Sequence, residues 1–227
     1  MIKKEKFLEN SVDSIFINQA ETIICQMKKC VCKFISKENG RLTGFLCKIP
    51  YPDKAHLLPV LATTDFAIEP YIKEGNIKIS IDNDKEFKEI NLVNRKIFIN
   101  RELSTCFIEL IPEDKINDFL EIDEDIFKED LELSYIKSSI YVLHYIKGEN
   151  VAMNPGILKE INKNNFLHLC NTECGSSGGP VLLLKTCKVI GIHCGANHHL
   201  NFNFGTLIKY SIEEFIKNNI GKWILNY

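Results

Sequence analysis

The chain has no long apolar run and no marked excess of charge of either sign. Its 227 residues contain no run of about 18 consecutive apolar residues, the length that a membrane-spanning helix needs. Lysine and arginine number 28 against 30 aspartate and glutamate, and no basic cluster marks a nucleic-acid-binding face. We therefore expect neither a membrane nor a nucleic acid as a partner.

The first residues also lack the apolar segment of a secretory signal peptide. MIKKEK is followed by FLENSVDS, which places Glu9, Asn10 and Asp13 where such a signal is apolar. The 9 cysteines are an odd number, so at least one is free or bridges outward. Without a secretion signal, we expect reduced thiols in a cytoplasmic or other reducing intracellular compartment.

Glycine and proline are scarce, at 12 and 7 residues, whereas hydrophobic residues make up 45% of the chain. Short apolar segments with period-two alternation recur about every ten residues, which indicates strands separated by turns. The predicted strands lie at 28–36, 41–49, 56–63, 76–81, 96–99 and 105–110, and then at 138–146, 156–161, 165–170, 180–184, 188–194 and 203–208. Two β-rich halves of similar size predict an all-β fold of two barrels.

Helical patterns flank the two β-rich halves, and an acidic segment separates them. The predicted units are an N-terminal helical extension (1–27), a first β-barrel (28–115), an acidic linker (116–135), a second β-barrel (136–210) and a C-terminal helix (211–227). Ser211 and Glu214 have the spacing of a capping box for that helix. We interpret the charge of the linker as a solvated connection, and an acidic binding patch is the alternative.

The segment GSSGGPVL, residues 175–182, is the most informative motif of the chain. It resembles the G-x-S-G-G-P signature of chymotrypsin-like (trypsin-like) serine proteases, and a glycine- and serine-rich β-turn is the alternative. The resemblance implies that Ser177 stands at the nucleophile position. It also implies an oxyanion hole formed by the backbone N–H groups of Gly175 and Ser177, on a turn that glycine makes accessible.

The resemblance extends over most of the chain. LTGFLCKIP and LPVLATTDFAI resemble the two strands that lead to the catalytic histidine in intracellular, non-zymogen members of this family. No R-I-V-G-G-like activation site is present near the N-terminus. Ser176 stands where zymogen-type members keep the aspartate that pairs with the new N-terminus. The resemblance therefore implies a chymotrypsin-like double β-barrel that is not activated by cleavage.

Two of the three catalytic positions carry the wrong residues. Without a gap, the histidine position falls on Phe66, and deleting one residue moves it to Asp65. The aspartate position falls on Ser104. His56 is the nearest histidine upstream, but about ten residues of strand span roughly 30 Å, which is too far for a hydrogen bond.

Serine without a neighbouring base is a poor nucleophile, and losing the histidine of another serine protease costs on the order of a millionfold in turnover. The resemblance therefore implies a catalytically inactive homologue, a pseudoprotease, that serves as a protein- or peptide-binding or structural module. One alternative is an active serine endopeptidase with a non-standard base, such as Asp65 or a group from a partner. Another is a structural subunit of a larger assembly.

Gly191-Ile192-His193-Cys194-Gly195 resembles the G-x-H-x-G strand of family members that prefer Glu or Gln before the cleaved bond. The resemblance implies that His193 and Gly195 are substrate-binding residues and that His193 lies in the pocket, where it can hold a Glu or Gln side chain. A histidine that lines the pocket without any ligand is the alternative.

We predict no metal and no other cofactor. His193 and Cys194 precede His198 and His199 with the spacing H-C-x3-H-H, which is not a recognised zinc pattern. Cys30 and Cys32 share one strand face and are interpreted as buried thiols. Cys174 is a candidate reactive thiol, but no histidine is placed to activate it.

Overall fold

The structure is a computed structural model that describes residues 11–35, 42–129, 134–197 and 202–224. No helix in these ranges is long and apolar enough to cross a lipid bilayer. Helix α1 (Ile17–Lys29) precedes the β-rich body, and helix α3 (Ile208–Ile224) follows it.

The first half is a sheet of seven strands that forms a half-barrel, in the order β5-β4-β1-β2-β3-β7-β6. The strands are β1 (Val31–Phe34), β2 (Thr43–Pro50), β3 (Leu57–Thr63), β4 (Asn76–Ile81), β5 (Glu86–Asn91), β6 (Ile97–Asn100) and β7 (Thr105–Glu109). Helix α2 (Asp65–Glu74) connects β3 to β4. All neighbouring strands pair antiparallel.

The second half is a closed barrel with the order β10-β13-β12-β11-β8-β9. Its strands are β8 (Ser139–Ile146), β9 (Asn150–Asn162), β10 (Asn165–His168), β11 (Pro180–Leu183), β12 (Lys188–Asn197) and β13 (Phe202–Leu207). Each of the six lies within or overlaps a strand expected from the alternation of the sequence. The all-β prediction is confirmed, although the first half is a half-barrel.

The acidic segment between the halves is packed over part of its length. Leu120 and Ile122 are buried and form single parallel bridges, Leu120 to Cys47 of the first half and Ile122 to Val189 of the second. Asp123 is also buried, and its carboxylate accepts hydrogen bonds from the hydroxyls of Tyr135 and Thr186, each at 2.7 Å. Charged neighbours remain on the outside, so the segment joins the halves while keeping an acidic surface.

Helix α3 packs its apolar face onto the first half. The ring of Phe215 is buried and lies against the rings of Tyr51, Phe98 and Phe107. Burial of a side chain of this size contributes about 1.5–3 kcal/mol to folding. The helix begins at Ile208, directly after β13, so Ser211 lies inside it and shares a hydrogen bond with Thr105 at 2.9 Å. The predicted capping box at Ser211 is therefore wrong.

Candidate active-site cleft

The loop before β11 has the backbone conformation that its glycines permit. Gly175 and Gly178 have φ angles of 99° and 88°, in the left-handed region that favours glycine. A Cβ atom at Gly178 would collide with the carbonyl oxygen of Thr43 and the hydroxyl of Thr63. Two of the glycines of the sequence motif are thus required by this turn and by its close approach to the first half.

Thr43, the first residue of β2, fixes this loop to the first half. Its hydroxyl donates to the carbonyl oxygen of Gly175 at 2.7 Å, and its backbone N–H donates to that of Ser177 at 3.0 Å. The same hydroxyl accepts the N–H of Tyr145 at 3.0 Å. From the second half, the N–H of Gly178 donates to the carbonyl of His193 at 2.8 Å. Both halves therefore hold the loop rigidly.

Ser176 anchors the loop from inside the second barrel. Its buried hydroxyl oxygen lies 2.6 Å from the carbonyl oxygen of Glu173 and 2.6 Å from Nδ1 of His144, and it accepts the N–H of Glu173 at 3.0 Å. Because the carbonyl of Glu173 can only accept, the hydroxyl of Ser176 donates its proton to that carbonyl. The serine oxygen then accepts a hydrogen bond from Nδ1 of His144, which must carry a proton. Nε2 of His144 is then a buried acceptor, without a hydrogen-bond partner among the described residues.

A second histidine pair lies beside the first. The N–H of Cys170 donates to Nδ1 of His168 at 3.3 Å, which assigns the proton of neutral His168 to Nε2. Nε2 of His168 lies 3.1 Å from Nδ1 of His193 and donates to it. Neutral His193 therefore carries its proton on Nε2, which has no hydrogen-bond partner in the part of the chain that the structure describes. His193 presents a donor, not an acceptor.

Burial keeps all three of these histidines neutral. It lowers the pKa of His144 and of His168 from the usual 6.5 to about 4. Burial also lowers the pKa of His193 well below its usual value, and repulsion from His168 and His144 adds to the effect. The sequence pointed to His193 but not to His144 and His168, although both lie in predicted strands and are buried.

Ser177 lies on the loop without a base. Its hydroxyl donates to the backbone carbonyl of Cys194 at 3.1 Å, and no described histidine forms a hydrogen bond with it. The backbone N–H groups of Gly175 and Ser177 donate to no residue in the described ranges. The loop thus combines two N–H donors that are free among the described residues with a hydroxyl that donates to a backbone carbonyl.

Phe66 and Ser104, the predicted histidine and aspartate positions, lie at adjoining ends of secondary-structure elements. Phe66 is the second residue of α2, and its side chain is 44% exposed. Strand β3 pairs Thr63 with Cys106 of β7, which places Ser104, two residues before Cys106, beside the start of α2. Ser104 has a φ of 48°, in the left-handed region. Neither side chain forms a hydrogen bond with Ser177.

The two remaining candidates for a base are also not bonded to Ser177. Asp65 begins α2 and makes no hydrogen bond with Ser177. Its charge does reach the cleft, because burial, with a smaller contribution from Asp65, raises the pKa of the Cys194 thiol to about 11. His56 is exposed before β3 and lies 2.8 Å from Asp53.

The cysteines and the histidines considered as metal ligands form no further site among the described residues. All nine cysteines are free, with Cys30 and Cys32 buried and Cys174 exposed next to the loop. No cluster of three or more potential metal ligands occurs among the described residues, and His198 and His199 lie outside them.

Known proteins resemble this chain in their three-dimensional structures and not in their sequences. No family model and no curated protein sequence matches the chain. A serine endoprotease from Yersinia pestis is similar with a TM-score of 0.64 at 13% identity, over 92% of this chain and 69% of that one. The Rv3671c protease from M. tuberculosis, in its active form, gives 0.60 at 16% identity, over 89% and 87% of the two chains.

A third solved structure, the serine protease of a human pathogenic astrovirus, is similar with a TM-score of 0.54 at 16% identity. It covers 78% of this chain and 88% of the viral one. The likeness to all three confirms the predicted chymotrypsin-like double β-barrel fold with N- and C-terminal helices. At sequence identities of 13% and 16%, the similarity shows a shared fold only.

Proposed function

We propose that this chain is a catalytically inactive homologue of the chymotrypsin-like serine proteases that binds a peptide or an extended protein segment. The hydrogen bond from the Ser177 hydroxyl to the Cys194 carbonyl carries this proposal, because it occupies the hydroxyl proton that a histidine would remove. Phe66 and Ser104 occupy the base and acid positions and have no proton-accepting group of the required strength. In this proposal the chain keeps the loop that carries Ser177 but lacks the side chains that would activate the serine hydroxyl.

A free strand edge beside Ser177 supports the binding part of the proposal. Strand β11 pairs with β12 only as far as Ile192, whereas β12 continues to Asn197. The Cys194 carbonyl faces Ser177, and residues two apart on a strand direct their backbone groups to the same side. The N–H and C=O of Ala196 therefore face the cleft as well, where an extended peptide adds as a further strand.

His193 and Gly195 select the ligand in this proposal. The unpartnered Nε2–H of neutral His193 donates to the side-chain oxygen of a Gln or Glu in the bound peptide. Gly195 presents no side chain to the ligand, and a Cβ atom there would lie 3.3 Å from the ring of Phe204. No charge on the protein is needed for either contact.

Replacing Ala196 with proline tests this binding mode. We expect Ala196→Pro to weaken binding of fluorescein-labelled hexapeptides containing Gln or Glu about tenfold, because one hydrogen bond of about 1–1.5 kcal/mol is lost. Proline is tolerated at such a strand edge, so the fold should persist. Fluorescence anisotropy measures the affinity, and Ala196→Ser, which keeps the N–H, is the matched control. Equal affinity of the proline variant would contradict the proposal.

An active endopeptidase with a non-standard base and a Glu- or Gln-preferring pocket is the second candidate. The free N–H groups of Gly175 and Ser177 favour it, since they are the donors that a tetrahedral intermediate requires. Mass spectrometry of the bound hexapeptides separates the two candidates. Intact peptides support the binding module, and cleavage that Ser177→Ala abolishes would establish the enzyme.

A further inference from the structure

A second groove lies between the β2–β3 hairpin and the acidic segment that joins the two halves. Lys48, Pro50, Lys54 and Leu57 of the hairpin line it together with residues from the range 117–128, and no residue of the Ser177 loop does. Its volume is about 1090 Å³. Most sites for small molecules measure about 300–1,000 Å³, so this groove has room for several residues of a peptide.

Part of the lining of this groove is apolar and open to solvent. Leu57 is 59% exposed, and the rings of Phe119 and Phe127 are partly buried. A ligand side chain that covers apolar surface of this kind removes it from water, which favours binding. The groove therefore offers a contact for large apolar residues.

One edge of β2 is uncovered within the groove. Strand β1 pairs with β2 only as far as Phe45, and beyond it the N–H of Lys48 donates to the carbonyl of Leu120 at 3.4 Å. The N–H and C=O of a residue in an antiparallel strand face the same side, and alternate residues face alike, so the carbonyls of Lys48 and Pro50 face this edge. No described N–H on this side donates to either carbonyl. Two acceptors at this spacing match the N–H groups along one side of an extended peptide.

The unpaired charges of the groove are mainly positive. The ammonium groups of Lys48 and Lys54 lie 5.1 and 5.7 Å from the ring centres of Phe119 and Phe127, and neither has a carboxylate partner among the described residues. Glu124 is the one lining acid in the described ranges without an ion pair. The other three acids are each within about 3 Å of a lysine, in the pairs Asp118–Lys29 (3.1 Å), Glu121–Lys188 (2.9 Å) and Asp125–Lys128 (2.6 Å).

We propose that this groove binds an extended acidic segment of a partner protein, one that also carries large apolar residues. Its carboxylates pair with the two free ammonium groups of Lys48 and Lys54, since charges across an interface are complementary. Its backbone N–H groups donate to the carbonyls of Lys48 and Pro50, and its apolar side chains cover Leu57. This site is separate from the Ser177 cleft and extends the proposed function to a second partner surface.

Two peptides test the proposed ligand chemistry. One is a fluorescein-labelled, C-terminally amidated decapeptide that alternates Asp with Leu or Phe, and the other has Asn in place of each Asp. We expect the Asp peptide to bind at least about tenfold more tightly in fluorescence anisotropy, and we expect this advantage to shrink as salt rises from about 0.1 M to about 1 M. Equal affinity of the two peptides, or no binding by the Asp peptide, would overturn the proposal.

A double variant locates the bound peptide. Lys48→Gln with Lys54→Gln should weaken binding of the Asp peptide about tenfold, because it removes both free ammonium groups. Lys159→Gln is the matched control, since the Lys159 ammonium also lies over a ring, that of Phe202 at 3.6 Å, but outside the groove. Both groove lysines are exposed, so the double variant should fold, and far-ultraviolet circular dichroism checks this. Unchanged affinity of a folded double variant would contradict the proposal.

Two further measurements separate this site from the other places where the peptide could bind. Ala196→Pro, which alters the Ser177 cleft, should bind the Asp peptide as the unmodified chain does. A loss in that variant would show that the peptide occupies the cleft and would overturn the second site. Sedimentation velocity of the chain without peptide should show a monomer, whereas a dimer that the double lysine variant dissociates would show that a second copy fills the groove and would overturn the proposed partner.

Discussion

The double substitution Phe66→His and Ser104→Asp is expected to make Ser177 react with a fluorophosphonate probe. The rate of adduct formation should rise at least about a thousandfold over the unmodified chain, because restoring the base and its orienting carboxylate restores activation of the hydroxyl. The loop around Ser177 is already held by Thr43 and Ser176, so in the proposed inactive homologue only the proton acceptor is missing. Intact-mass spectrometry after timed exposure measures the rate.

Both positions should tolerate their substitutions. The Phe66 side chain is 44% exposed, so an imidazole replaces it without opening a core cavity. Ser104 has a φ of 48°, which aspartate tolerates better than most residues. Phe66→His alone should react more slowly than the pair, and adding Ser177→Ala should abolish labelling. A folded double variant that stays unlabelled would contradict the assignment of these two positions.

Acidification is expected to destabilise the protein through its buried histidines. His144 and His168 have pKa values of about 4 when folded, against about 6.5 when unfolded. Since the unfolded chain binds more protons between these values, the free energy of unfolding falls as the pH drops from about 6.5 towards 4. The loss is about 2 kcal/mol per histidine at pH 5. Chemical denaturation at pH 7 and pH 5 measures it.

Two histidine variants test whether the buried histidines cause this loss of stability at low pH. His168→Phe should make the free energy of unfolding depend less steeply on pH, whatever its effect at pH 7. His144→Phe, which removes the other histidine whose pKa burial lowers to about 4, should reduce the steepness as well. If both variants keep the full dependence, the buried histidines are not its cause.

Most strands and the nucleophile loop were predictable because local signals determine them. Strands β8 and β12 are short apolar segments that are buried on both faces over most of their length. The glycines at 175 and 178 are required by φ angles that the motif already implies. The absence of histidine at position 66 could likewise be read directly, since it needs only the order of residues along the chain.

Elements whose local signals conflict with the fold were missed. Helix α2 contains Pro70, which normally argues against a helix interior, and it forms because Ile68 and Tyr71 are buried against the first sheet. Strand β5 exposes Phe87 at a sheet edge, so its alternation is inverted and weak. Packing between distant segments overrides propensity in both cases.

The hydrogen bonds that hold the loop could not be predicted from the sequence. His144 bonds to Ser176, 32 residues later in the chain, and Thr43 bonds to Gly175, 132 residues later. Only closure of the second barrel and its docking on the first half bring these groups together. The orientation of the Ser177 hydroxyl towards Cys194 depends on the same contacts.

Labelling of the unmodified chain by a fluorophosphonate tests the central claim most directly. Intact-mass spectrometry after prolonged exposure at neutral pH should show no adduct, because no described base takes the proton of Ser177. Stoichiometric formation of an adduct that maps to Ser177, and that Ser177→Ala removes, would contradict a catalytically inactive cleft.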